Sequence, residues 1–163
     1  MNAIRRQHLE DVLVQAKINP TPLHKLLEQE ENEARFVQNY LSSRNTRQET
    51  ETRLESHPSQ PRYIVLNTVE ELQYALAYFD ISTEEQDAIL NHEKAHFEEA
   101  LNRGLPVRFV AVIYKDSNKL GVKIATQVNL RYNTLSDKER KIALRNVVSA
   151  PSNPSNIDKQ MLA

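Results

Sequence analysis

One short segment of the chain combines residue types and a spacing that suit metal chemistry. His92, Glu93 and His96 lie within five consecutive residues, with the two histidines four apart. On an α-helix, residues four apart project from the same side, so both imidazoles can bind one metal ion. Glu93 lies about 100° around the helix from His92, where its carboxylate can take a proton from a metal-bound water. The segment therefore predicts a zinc site with His92 and His96 as ligands and Glu93 as general base.

Glu93 is expected on the apolar side of its helix. A helical projection groups it with five apolar residues, namely Ile89, Leu90, Phe97, Ala100 and Leu101. A carboxylate on the core side is costly unless it has a role or a partner. His92 and His96 lie at the edge of this arc, a layout that predicts the wall of a cleft beside a core.

The segment His92-Glu93-Lys94-Ala95-His96 resembles the HExxH motif of the zincin metallopeptidases, over residues 89–100. The resemblance implies that His92 and His96 bind zinc and that Glu93 activates water. It also implies a short, gluzincin-like hydrolase, a metallopeptidase whose substrate is a peptide or a protein. The alternative is a non-catalytic helical module for protein interaction, in which the histidines are structural or bind metal without turnover.

A zinc site of this kind needs a third protein ligand. No histidine follows His96 and the chain has no cysteine, so a later carboxylate or an upstream residue is expected. Glu139 is favoured, because it resembles the gluzincin arrangement in which a glutamate from a later helix completes the site. Asp158 in the tail and Glu99 on the motif helix stay open as alternatives, and so does His57.

Composition argues against several other functions. The chain has only two glycines, too few for a phosphate-binding loop or a dinucleotide fingerprint, and it has no Gly-x-Ser-x-Gly segment. The net charge of −1 gives no electrostatic case for nucleic acid. No stretch approaches the ~20 apolar residues that span a membrane, and the first residues lack the apolar run of a signal peptide. A cytoplasmic protein is therefore expected.

The predicted fold is α+β and mostly helical, with a β-hairpin or small antiparallel sheet packed on the motif helix. Three parts are expected: a helical N-terminal extension over residues 1–41, a polar linker over 42–61 and a compact domain over 62–163. Within the domain, Thr68 and Ser82 begin helices, since each has a glutamate three residues later. A hairpin follows over residues 107–131, a last helix ends near Val148, and the tail over residues 150–156 is expected to be irregular. The N-terminal helices could shield the cleft or dock a protein partner.

Overall fold

The computed structural model describes residues 1–42, 63–79, 81–131 and 134–163. Across these residues the fold is α+β, with helices joined to a small mixed sheet, which confirms the predicted fold class. The predicted linker, apart from its first residue, lies outside the described residues, as does His57. The elements in chain order are α1 (Ala3–Ile18), β1 (Thr21–Pro22), α2 (Leu23–Ser42), β2 (Ile64–Leu66), α3 (Val69–Tyr78), α4 (Thr83–Asn102), β3 (Val107–Asp116), β4 (Lys119–Val128), α5 (Asp137–Val148) and α6 (Asn156–Leu162).

Strand β3 is the centre of the sheet. It pairs along its whole length with β4, in the antiparallel hairpin that the alternating pattern predicts. Its other edge pairs with β2, antiparallel, and with the two-residue strand β1, parallel. The sheet is therefore mixed, whereas the sequence pattern predicts antiparallel pairing alone. The difference arises because β1 is too short to leave a periodic signal.

Helices α1, α3 and α4 cover one face of the sheet. Leu9, Leu13 and Ala16 of α1 lie in the same buried cluster as Phe109 and Ala111 of β3. Full burial of a leucine contributes about 1.5–3 kcal/mol, so α1 is a substantial part of this core. Helix α1 is thus part of the same hydrophobic core as the sheet.

Helix α2 covers the opposite face. Leu26 and Gln29 face Val110 and Val112 of β3 across a small cavity of about 50 Å³. Along its length α2 also contacts the C-terminal helix α6, which packs in turn on α5. Among the described residues, no helix is long and apolar enough to cross a membrane.

The ends of helix α4 are fixed by its own sequence. Ser82 caps the first turn, because its hydroxyl accepts a hydrogen bond from the backbone N–H of Glu85. At the other end, Gly104 has a φ of +74°, a conformation that costs glycine nothing. The N–H of Leu105 then donates to the carbonyl of Ala100, a bond typical of a helix that ends at a left-handed residue. These caps fix the register in which His92, Glu93 and His96 are presented.

Candidate metal centre

The structure brings His92 and His96 of α4 together with Asp158 of α6. The Nε2 atoms of the two histidines are 3.2 Å apart. One carboxylate oxygen of Asp158 lies 3.2 Å from Nε2 of His92, and the other lies 3.4 Å from Nε2 of His96. Within the described part of the chain, these three residues form a group of the kind that could hold a metal ion.

The donor set and its spacing fit a small divalent cation. Imidazole nitrogens and a carboxylate oxygen are all ligands of zinc, with bonds of about 2.0–2.2 Å. Ligands on a tetrahedron are about 1.6 bond lengths apart, which places them roughly 3.3 Å from one another. The two nitrogens are 3.2 Å apart, and they lie 3.2 and 3.4 Å from different oxygens of the carboxylate, distances close to this value. The two imidazole rings are nearly perpendicular, at 84°, and both direct Nε2 toward the carboxylate.

The tautomer of His96 is set by the end of helix α5. Nδ1 of His96 lies 2.7 Å from the carbonyl oxygen of Val147. A carbonyl can only accept, so Nδ1 carries the proton and, in the neutral ring, Nε2 presents a lone pair to Asp158. Metal-binding histidines in proteins usually make this second hydrogen bond, to a carbonyl or a carboxylate. The arrangement therefore prepares Nε2 of His96 as a ligand atom.

The same contacts alter the proton affinity of the group. Burial lowers the pKa of His96, but the hydrogen bonds that the protonated ring donates to Asp158 and Val147 outweigh this effect, so the pKa rises above its ordinary value. Burial raises the pKa of Asp158, yet hydrogen bonds from His96 and Ser155 reverse this and hold the pKa below its ordinary value. Asp158 thus carries a full negative charge at neutral pH, as a metal ligand must.

Asp158 is held by the first turn of its own short helix. Ser155 caps α6 by accepting from the N–H of Asp158, and Oδ2 of Asp158 accepts from the N–H of Ser155 at 2.9 Å. This reciprocal pair is a capping box with aspartate in the third position. The sequence contains the signal, a serine three residues before an acid, in a tail that its prolines and asparagines mark as irregular.

Glu93 lies on the side of α4 that faces the sheet, as the helical projection predicts. The hydroxyl of Thr126 in β4 is 2.7 Å from Oε2 of Glu93 and 3.1 Å from its backbone carbonyl. Burial raises the pKa of Glu93, and this outweighs the opposing effects of Thr126 and of the nearby His96 and His92. The carboxylate is thus buried, anchored at one oxygen and close enough to the histidines to sense their charge.

The structure places the other candidate ligands away from this group. Glu139, favoured from sequence, lies in the first turn of α5, where its carboxylate accepts a hydrogen bond from the N–H of Ser136. Glu99 pairs with Arg103 at 2.8 Å along the outer side of α4. The carboxylate of Glu139 thus caps the start of its own helix, and that of Glu99 forms an ion pair along its own helix. Among the three acids considered, the geometry therefore favours Asp158 as the third ligand in place of Glu139.

Access to the group is partial. The His92 side chain is 23% exposed, while the side chains of His96 and Asp158 are 9% and 10% exposed. A small ligand can therefore reach the cluster from the His92 side, while its other side is closed by α5 and α6.

Comparison with known proteins adds no assignment. No protein-family model, no curated protein and no solved structure matches the chain. The geometry of the site therefore carries the functional argument.

Proposed function

We propose that the chain is a small zinc-dependent hydrolase that cleaves peptide bonds. In this proposal His92, His96 and Asp158 bind the metal, and Glu93 is the general base. Both zinc as the metal and peptide hydrolysis as the reaction are part of what we propose.

The convergence of three ligand atoms from two helices carries the proposal. Two imidazole nitrogens and a carboxylate lie 3.2–3.4 Å from one another. A lone pair on Nε2 of His96 faces the carboxylate of Asp158, and this contact is repulsive unless a cation or a proton lies between them. The hydrogen bond to Val147 keeps His96 in the tautomer that metal binding requires.

The number of ligands supports a catalytic site over a structural one. Structural zinc sites usually have four protein ligands, whereas catalytic sites have three and leave one position for water or substrate. Within the described part of the chain, the group contains three candidate ligands. The partial exposure of His92 gives solvent a route to the open position.

Glu93 has the properties of a general base. A zinc ion bound at the site would supply a positive charge that polarises a carbonyl group and makes a water molecule more acidic. Thr126 holds Oε2 of Glu93, while Oε1 accepts no hydrogen bond from the described residues and is available for a proton. Burial moves the pKa of Glu93 up toward neutral pH, where a carboxylate is a more effective base.

One observation favours the non-catalytic alternative. Through Thr126, Glu93 links α4 to β4, so the same hydrogen bond could serve packing alone. In that case the cluster would bind metal without turnover, and the N-terminal helices would be the surface for a protein partner.

The experiment that separates these functions combines metal analysis with a peptidase assay. Elemental analysis of the purified, untagged chain should give about one zinc per chain. The zinc-loaded protein is then assayed on a library of internally quenched peptides. Glu93→Gln should lose cleavage by ~10²–10⁴-fold, the contribution of a general base, while keeping its zinc. Glu98→Gln, at an exposed position on the same helix, is the matched control and should cleave like the parent.

Each other outcome points elsewhere. Zinc that is retained without cleavage of any peptide supports the non-catalytic module. Cleavage that survives Glu93→Gln removes the proposed base. A chain that neither retains zinc nor binds it when zinc is added back removes the metal site itself.

A further inference from the structure

Asp158, the third ligand of the proposed site, is carried by the short helix α6. Helix α6 has seven residues, and helices of that length are unstable in isolation. It must therefore be held by contacts with the rest of the molecule. These contacts include an apolar one, a hydrogen bond at the end of the helix and the approach of Asp158 to the histidines.

The apolar contact is made by Met161. This side chain is partly buried against a cluster formed by Tyr40 of α2 with Leu130, Leu144 and Val148. Beyond it, the side chain of Gln38 in α2 donates a long hydrogen bond of 3.4 Å to the carbonyl of Ala163. Helix α6 thus packs on α2 and α5.

The approach of Asp158 to α4 is of a different kind. One carboxylate oxygen of Asp158 lies 3.2 Å from Nε2 of His92, and the other lies 3.4 Å from Nε2 of His96, so this contact joins α6 to the motif helix. A cation at this position would attract the carboxylate and both imidazoles at once.

From this geometry we propose that metal binding and docking of α6 on α2 are one coupled equilibrium, with Met161 as the residue that positions Asp158. The proposal rests on the metal site of the proposed function, and not on its peptidase activity. Coupling between two sites is reciprocal: a metal that holds Asp158 stabilises the docked helix, and a docked helix raises the affinity for metal.

Two substitutions on α6 test the coupling without changing any of the proposed metal ligands. Met161→Ser removes the apolar contact, and Leu162→Ser makes the same change at the next residue, whose side chain is exposed. Met161→Ser should lower zinc affinity on the order of tenfold, because the affinity falls with the fraction of molecules in which α6 is docked. Leu162→Ser should leave the affinity within about twofold of the parent, and Met161→Leu should restore it.

Hydrogen exchange on the unmodified chain gives an independent measurement. Zinc should slow amide exchange across residues 156–162 on the order of tenfold or more, and should not do so in His92→Ala. This measurement does not depend on whether Met161→Ser folds, which is checked by its unfolding curve.

The outcomes separate the two proposals. A chain that binds zinc, with unchanged affinity in Met161→Ser and unchanged exchange across α6, overturns the coupling and leaves the metal site standing. A chain that binds no zinc overturns the metal site and the coupling together. A fall in affinity in Met161→Ser alone, with slowed exchange on zinc binding, supports the coupling whether or not any peptide is cleaved.

Discussion

Nδ1 of His96 donates a hydrogen bond of 2.7 Å to the carbonyl oxygen of Val147, across the contact between α4 and α5. Val147 is the eleventh of the twelve residues of α5, so its carbonyl has no donor four residues on within the helix. It accepts one hydrogen bond from the N–H of Ala150 at 3.2 Å and a second from His96, which fixes the histidine in one orientation. The end of one helix thereby prepares a ligand atom on another.

The first prediction concerns the identity of the third ligand. Asp158→Asn keeps the size of the side chain and can still accept from the N–H of Ser155, but it removes the charge. Loss of a residue that only hydrogen-bonds a metal ligand lowers metal affinity by ~10–100-fold. Because Asp158 binds the metal itself in this proposal, we expect a larger fall in zinc affinity. Competition with a fluorescent chelator measures this change. Glu139→Gln is the control and should bind zinc like the parent; the opposite pattern would return Glu139 to the site.

The second prediction concerns Thr126. Thr126→Val has nearly the same shape but leaves the buried Glu93 without its hydrogen bond from the hydroxyl. We expect a loss of about 1–3 kcal/mol in the free energy of unfolding, the usual cost of an unsatisfied buried acceptor. Thr126→Ser keeps the hydroxyl and should recover much of this loss. Denaturant unfolding curves provide the comparison, and equal stability of the valine variant and the parent would show that Glu93 has another partner.

The third prediction concerns a buried arginine outside the site. Arg140 of α5 is fully buried, and its guanidinium nitrogens make no hydrogen bond of standard geometry with the described residues. It lies near Tyr40, whose pKa burial raises to about 12 although the positive charge of Arg140 opposes the rise. A buried charge without a hydrogen-bonded partner is destabilising, and replacement by an apolar side chain is often neutral or stabilising by about 1–4 kcal/mol.

Arg140→Met should therefore raise the free energy of unfolding or leave it unchanged. Lys138→Met, at an exposed position on the same helix, controls for the change in charge. Thermal and denaturant unfolding of both variants are compared with the parent. A large loss of stability in Arg140→Met alone would mean that the guanidinium makes a favourable interaction in solution.

The fourth prediction concerns pH. The side chain of Arg5 donates two hydrogen bonds to Glu71, of 2.8 and 3.1 Å, and the N–H of Asn67 donates a third of 2.6 Å. The hydrogen bonds from Arg5 outweigh the effect of burial and hold the pKa of Glu71 below its ordinary value. Because the folded-state pKa is lowered, the stabilisation is complete above the ordinary pKa and is lost as the pH falls through the folded-state value.

Glu71→Gln tests this at a series of pH values. At pH 7 the parent should be more stable than the variant by about 1.5–3 kcal/mol, the range for hydrogen bonds to a charged group. The difference should narrow in the acid range, once Glu71 is protonated in the parent as well. Glu70→Gln, an exposed neighbour, should show a much smaller dependence. If the stability difference between the parent and Glu71→Gln stays constant from pH 7 down to pH 3, the lowered pKa of Glu71 is contradicted.

Local patterns in the sequence determined the motif helix and much of the fold. The i, i+4 spacing places His92 and His96 side by side on any helix, and Ser82 and Gly104 mark where that helix begins and ends. Alternation of apolar and polar residues likewise predicts the β3–β4 hairpin. These features depend on residues a few positions apart, so they can be derived from the sequence alone.

Only the tertiary structure decided which acid meets the histidines. Asp158 and Glu139 are both acids in the first turn of a later helix, and both lie three residues after a capping serine. What differs is where each helix packs: α6 brings its first turn to the histidines, whereas α5 brings its last turn, at Val147, to His96. That choice depends on contacts between residues more than fifty positions apart, such as His96 with Val147 and Asp158, and no local spacing in the chain encodes it.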